Sequence, residues 1–163
     1  MLSDKLLKAL NDQVTLEYDS AFIYRGMEVF FQDMGTTGFT NFFNKQAKEE
    51  VEHAEEFTEF ILSVGGKVEI GGLNSPSTEY GSILEVYEAA LKHEKVVTAS
   101  ITEILKIAIE EENFAAENFL RTFIDEQVEE EDTFQGLVDY LKWIGDDKSA
   151  LIQFDKQMLE REE

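Results

Sequence analysis

The sequence predicts an all-α protein: four long helices in a bundle, a long crossover between the second and third, and a short fifth helix at the C-terminus. Three observations carry this. Apolar residues recur at alternating spacings of three and four through four long segments, the period of one buried helix face. The single proline, Pro76, falls in the one long stretch without that period. Two helices, a long connection and two more helices also differ from a simple up-and-down bundle, whose loops are all short.

The first helix is expected from about Asp4 to Asp33, with Ser3 as its cap and a stop before Met34-Gly35. The second runs from about Thr37 to Val64 and ends at Gly65-Gly66. Gly71-Gly72 and Asn74-Ser75-Pro76 then mark a connection reaching about Gly81. The third helix starts near Ser82, with Glu85 three residues on as a capping box, and reaches about Glu110. A break near Glu112-Asn113 precedes the fourth, which ends about Ile144, before Gly145-Asp146-Asp147. The last helix covers roughly Lys148 to Leu159. A helix of about 28 residues is about 40 Å long, so the bundle is elongated. At 163 residues the chain fits one domain, residues 1–163, with a sizeable core.

Composition narrows the function classes. With 35 acidic against 14 basic residues the formal charge is −21, which repels nucleic acid and anionic membranes and attracts cations. There are no cysteines, so disulfides, thiolate zinc and iron–sulfur clusters are excluded. No apolar run is long enough to span a bilayer, and the N-terminus lacks a signal-like apolar stretch, so a cytoplasmic location is expected.

The informative residues are polar ones inside the apolar stripes. The first stripe reads Leu10, Val14, Glu17, Ala21, Tyr24, Met27, Phe31; the second Phe39, Phe43, Gln46, Glu50, His53, Phe57, Ile61, Val64. The third reads Ile83, Tyr87, Ala90, Glu94, Val97, Ile101, Ile104, Ala108; the fourth Ala116, Leu120, Phe123, Gln127, Glu130, Phe134, Leu137, Leu141, Ile144. Each is apolar on both sides of a carboxylate near its middle, so packed helices bring the four to one height. One such glutamate can snorkel to the edge of a core. Four at matching heights each cost several kcal/mol if ionised without a partner. No lysine or arginine occupies the stripes near their centres, so the countercharge is a proton or a metal. Glu17, Glu50, Glu94 and Glu130 carry four negative charges, matching two divalent cations. Glu50 and His53 form Glu-x-x-His, a spacing that puts both donors on one helix face. Carboxylates plus imidazole suit iron or manganese in an oxygen-using site; zinc would also bind, as an inhibitor.

These residues resemble the non-haem ferritins of bacteria and archaea, in Glu17 and Tyr24, the stretch Ala47-Lys48-Glu49-Glu50-Val51-Glu52-His53, Glu94, and the stretch Glu126-Gln127-Val128-Glu129-Glu130. The likeness covers nearly the whole chain and implies a ferritin-like bundle. It implies that Glu17, Glu50 and His53 bind one iron and that Glu50, Glu94 and Glu130 bind a second, with Glu50 bridging. Gln127 is implied to hydrogen-bond near the oxygen-side ligands and Tyr24 to stand beside the dinuclear centre. A third iron site is implied at Glu49, Glu126 and Glu129, sharing Glu130; the competing reading is an acidic, solvated helix face. Bacterioferritins repeat Glu-x-x-His in the fourth helix, where this chain has Gln127 and Glu130, and their haem-binding methionine is Val51 here. No haem is expected.

The resemblance also implies an activity and an assembly. Fe(II) would be oxidised to Fe(III) by O2 or hydrogen peroxide, a ferroxidase reaction, and stored as mineral. Storage requires a homo-oligomeric shell of 24 subunits, with the final helix (Ala150, Leu151, Phe154, Met158) lining four-fold contacts. Trp143, far from the centre along its helix, is expected to be a packing residue. The alternatives are a peroxide scavenger or an organic-substrate di-iron oxidase of the same fold; a structural bundle would leave the central carboxylates unexplained.

Overall fold

A computed structural model describes residues 1–160; the expected domain of residues 1–163 runs past them, and 161–163 lie outside the described residues. The helices are α1 (Asp4–Met34), α2 (Gly38–Ser63), α3 (Ile83–Glu110), α4 (Phe114–Ile144) and α5 (Lys148–Glu160). Every long helix lies within two residues of its expected bounds, because the end signals are local chemistry. Ser3, Ser82 and Asn113 accept from the backbone N–H groups of Leu6, Glu85 and Ala116, satisfying first-turn donors. Glu85 reaches back to accept from Gly81 N–H at 2.7 Å. Gly35 ends α1 at φ 80°, the left-handed conformation a glycine adopts without cost.

The cap of α2 is not local. Thr37 makes no side-chain cap bond, and the carboxylate of Asp155, on α5, instead accepts from Phe39 N–H at 2.9 Å. Phe154 meets the Phe39 and Tyr140 rings, so α5 is clamped across the start of α2. Phe154 and Met158 are therefore buried within their own subunit, while Ile152 and Leu159 remain exposed.

Contacts fix the helix directions. Phe31 packs on Phe39 and Tyr87, Tyr24 on Glu94, and Ser3 on Glu111, so α1 runs antiparallel to both α2 and α3. Phe57 on Phe119 and Gln46 on Glu130 make α4 antiparallel to α2. It follows that α2 and α3 are parallel, and a parallel pair requires a connection as long as the bundle. Residues 64–82 supply it by climbing α1. Asn11 accepts from Glu69 N–H and donates to Lys67 O, Thr15 accepts from Gly71 N–H, and Asp19 accepts from Asn74 N–H. Higher up, Ser77 lies over Gly26 and Tyr80 against Phe30. Positions 11, 15 and 19 recur at four, one face of α1, so an irregular segment has its backbone groups met by a helix.

The interior is two apolar clusters rather than one. Leu6, Leu10, Val14, Phe57, Ile61, Ile101, Leu120 and Phe123 build one end; Tyr24, Phe31, Phe39, Phe43, Tyr87 and Phe134 build the other. The polar stripe residues lie between them.

Candidate metal centre

The four stripes behave as expected from their period. All their residues are buried except His53, Val64, Ile83, Glu130 and Ile144, which are half-buried. Glu17, Glu50 and Glu94 are 0%, 3% and 0% exposed, which rules out snorkelling to water.

Ligand atoms of Glu17, Glu50 and His53 lie within 4.8 Å of one another, the group with metal-holding geometry among the described residues. His53 sits between carboxylates, its Nδ1 3.4 Å from Glu50 and its Nε2 3.3 Å from Glu126. Glu94 is held from two sides: the Tyr24 phenol donates to Oε1, and the Gln127 amide donates to Oε2 at 2.9 Å. Glu130 accepts from Gln46 at 3.1 Å. Glu49, Glu126 and Glu129 are exposed on α2 and α4 and are not drawn into a comparable cluster, as mutually repelling charges at a solvated face would dictate. A cavity of about 220 Å³, bordered by Gln46, Glu49, Glu130 and Thr133, opens beside that edge.

The electrostatics of the centre are those of an anion cage. Burial holds Glu17 and Glu50 well above the usual carboxylate range, with the neighbouring carboxyl Glu50 adding to the rise at Glu17 and Glu94 to that at Glu50. Burial likewise raises Glu94 and Glu130, and raises Glu49 with help from Glu130. Burial and the facing Glu94 keep the Tyr24 phenol protonated, as its donation requires. Glu17 Oε2 is buried without any hydrogen-bond donor. Its neighbour Glu50 can partner it only by sharing a proton. An orphaned anionic oxygen beside an imidazole and a second carboxylate fits a divalent cation, which satisfies the oxygen and cancels the charge together.

Several residues off the stripes also belong to the centre. Gln13, fully buried, donates to Glu17 Oε1 at 2.6 Å and accepts from Ser100 at 2.5 Å. Thr98 accepts from Gln127 at 3.1 Å and donates to Glu131 at 2.9 Å. The Ser20 hydroxyl lies 2.8 Å from Leu16 O and 2.7 Å from His93 Nε2. The His93 ring stands edge-on to Tyr24, and burial lowers its pKa. Each of these residues borders a stripe by one or two positions. The available signal was a small polar residue one turn from a stripe carboxylate: Gln13 precedes Glu17 by four, and Thr98 follows Glu94 by four. Trp143, expected to pack, is instead 83% exposed: Leu141 and Ile144 take the inward face at this end of α4, and the Trp143 ring lies tilted against Tyr140.

Residues 7–144 match the family model described as the ferritin-like domain. A bacterial non-heme ferritin of Staphylococcus haemolyticus is 40% identical over 161 residues, covering 99% of this chain and 97% of that one. Its counterpart in Staphylococcus aureus is 39% identical over 158 residues, with 97% and 95% covered. Among solved structures, an open-pore ferritin from the archaeon Archaeoglobus fulgidus superposes with a TM-score of 0.97 at 37% identity, over 99% of this chain and 100% of that one. A form of the Archaeoglobus fulgidus ferritin engineered to be closed gives 0.97 at 36%, with 99% of each covered. With relatives and neighbours matching end to end around a bundle of this connectivity, the chain belongs to the ferritin family.

Proposed function

We propose that this chain is the subunit of an iron-storing shell and that its core oxidises Fe(II) to Fe(III), with O2 or hydrogen peroxide taking the electrons. The observation that carries the reading is the group of buried Glu17 and Glu50 with half-buried His53, in which Glu17 Oε2 has no donor. The names of the relatives, bacterial non-heme ferritins, support it.

Glu17, Glu50 and His53 receive one Fe(II); Glu50, Glu94 and Glu130 receive a second, with Glu50 bridging. As iron enters, the proton shared by Glu17 and Glu50 leaves, so uptake is coupled to proton release. Each Fe(II) yields one electron, and two electrons with two protons convert O2 to hydrogen peroxide, or peroxide to two waters. Hard anionic carboxylates stabilise Fe(III) more than Fe(II), which drives the oxidation. Gln127 and Tyr24 hold Glu94 in place, and Tyr24 is also the nearest phenol able to supply a further electron. Glu49, Glu126 and Glu129, with Glu130, form a third iron site on the acidic face. Mineral deposition requires a container, so 24 copies enclose a cavity whose acidic walls concentrate Fe(II).

Aerobic addition of two Fe(II) per subunit, followed by ultraviolet absorbance, tests the centre. Glu50→Ala and His53→Ala slow the fast phase at least tenfold; wild-type rates in both variants defeat the assignment. Size-exclusion chromatography tests the shell: a particle of about half a megadalton supports it, and a monomer or dimer does not.

A further inference from the structure

We propose that Ser100 and Gln13 form a two-residue clamp that turns the Glu17 carboxylate so that Oε1 is held by protein and Oε2 is left for the metal. This rests on the reading of Glu17 as a ligand given above.

A glutamine amide has two faces of opposite character, an oxygen that accepts and a nitrogen that donates. Beside a carboxylate only the nitrogen face is attractive. Gln13 is 0% exposed, so water cannot correct a wrong choice. Ser100 makes the choice. A helical serine commonly returns its hydrogen to its own helix, four residues back. Here Ser100 donates across to the oxygen of Gln13 at 2.5 Å, from α3 to α1. With its oxygen engaged, the amide presents nitrogen to Glu17 Oε1 at 2.6 Å. The carboxylate is thereby pinned by one oxygen, and the other is the buried atom without a donor. Flipping the amide would set its oxygen against the Glu17 carboxylate that metal entry ionises, and would also break the Ser100 bond.

The second half of the centre has a parallel device, also built on α3. Gln127 donates to Glu94 and to Thr98, whose hydroxyl lies within donating distance of both Glu94 O and Glu131. Thr98 and Ser100 thus govern one glutamine each, and each glutamine governs one terminal carboxylate. This separation makes the clamp testable site by site. Ser100 and Gln13 touch neither metal nor oxidant and are positioning residues for Glu17.

The experiment is an anaerobic titration of the full protein with Co(II), read by its visible absorption and by calorimetry, so no turnover is involved. Wild type fills the two buried positions in two steps, ahead of any weaker binding at the exposed acidic face. Ser100→Ala and Gln13→Met each weaken one step by about 10–100-fold, the usual effect of removing an outer partner of a ligand, and leave the other step within twofold. The double variant is no worse than Gln13→Met alone, because Ser100 acts through Gln13. Ser100→Thr keeps the hydroxyl and restores binding, and Thr98→Ala weakens the opposite step. Wild-type affinity in Ser100→Ala, additive losses in the double variant, or equal loss at both steps would overturn the clamp while leaving the centre intact. Failure of wild type to bind two ions would instead sink the centre and the clamp together.

Discussion

Raising the pH of the metal-free protein should destabilise it, and a divalent metal should reverse the loss. Burial is the leading cause of the raised affinity for protons at Glu17, Glu50, Glu94 and Glu130. A carboxyl that binds its proton more tightly folded than unfolded favours the fold fully below its unfolded pKa, near 4.5. That contribution is lost as the pH climbs through the folded value, each unit between the two being worth about 1.4 kcal/mol. Burial lowers the pKa of His93, which acts in the opposite sense, so the buried carboxyls are read from the difference between wild type and the Glu17→Gln/Glu50→Gln variant. At a free concentration one hundred times its dissociation constant, one ion adds about 2.7 kcal/mol, and two add about 5. In a chain of 163 residues this raises the melting midpoint by roughly 10–20 °C. Scanning calorimetry from pH 5 to pH 8, with and without Zn(II), is the assay. The metal-free midpoint should fall with pH, and the Zn(II) increment should be large at pH 8 and small at pH 5, where protons compete. In Glu17→Gln/Glu50→Gln the slope should flatten. A wild-type midpoint that holds level or rises across this range, or a slope unchanged in the double variant, would refute the reasoning.

Other changes probe the supports of the centre. Tyr24→Phe removes the phenol that donates to Glu94 and should cost about 1.5–3 kcal/mol in denaturant unfolding; a loss below about 0.5 kcal/mol would contradict that bond. A Cβ at Gly38 would come within 1.6 Å of Asp155 O, so Gly38→Ala should lift α5 off α2, expose Phe154 and weaken shell assembly, read by size-exclusion chromatography. Unchanged assembly would mean that α5 docking is dispensable. Glu129→Ala should alter the iron stoichiometry and later turnovers while sparing the first fast oxidation. If it abolishes that first phase, Glu129 belongs to the dinuclear pair rather than to the third site.

Residues repeating at three and four can share only one face of a helix, so the stripes name the side chains that face inward. The same period put Glu17, Glu50, Glu94 and Glu130 at matching heights, because in helices of similar length the middle of one faces the middle of the next. Caps at Ser3 and Ser82 were legible because they act within three residues of themselves, whereas at Asn113 only the break was legible. Tertiary structure decided what depends on the distance between helices. Ser100 serving Gln13, Asp155 capping α2 and residues 64–82 climbing Asn11, Thr15 and Asp19 all join positions that no local spacing relates. The exposure of Trp143 is of the same kind, since an apolar residue is buried only where another element covers it. Periodicity thus determined which face of each helix is buried, and packing determined which polar groups meet there, because a hydrogen bond needs two atoms within about 3 Å and sequence order does not measure that distance across a bundle.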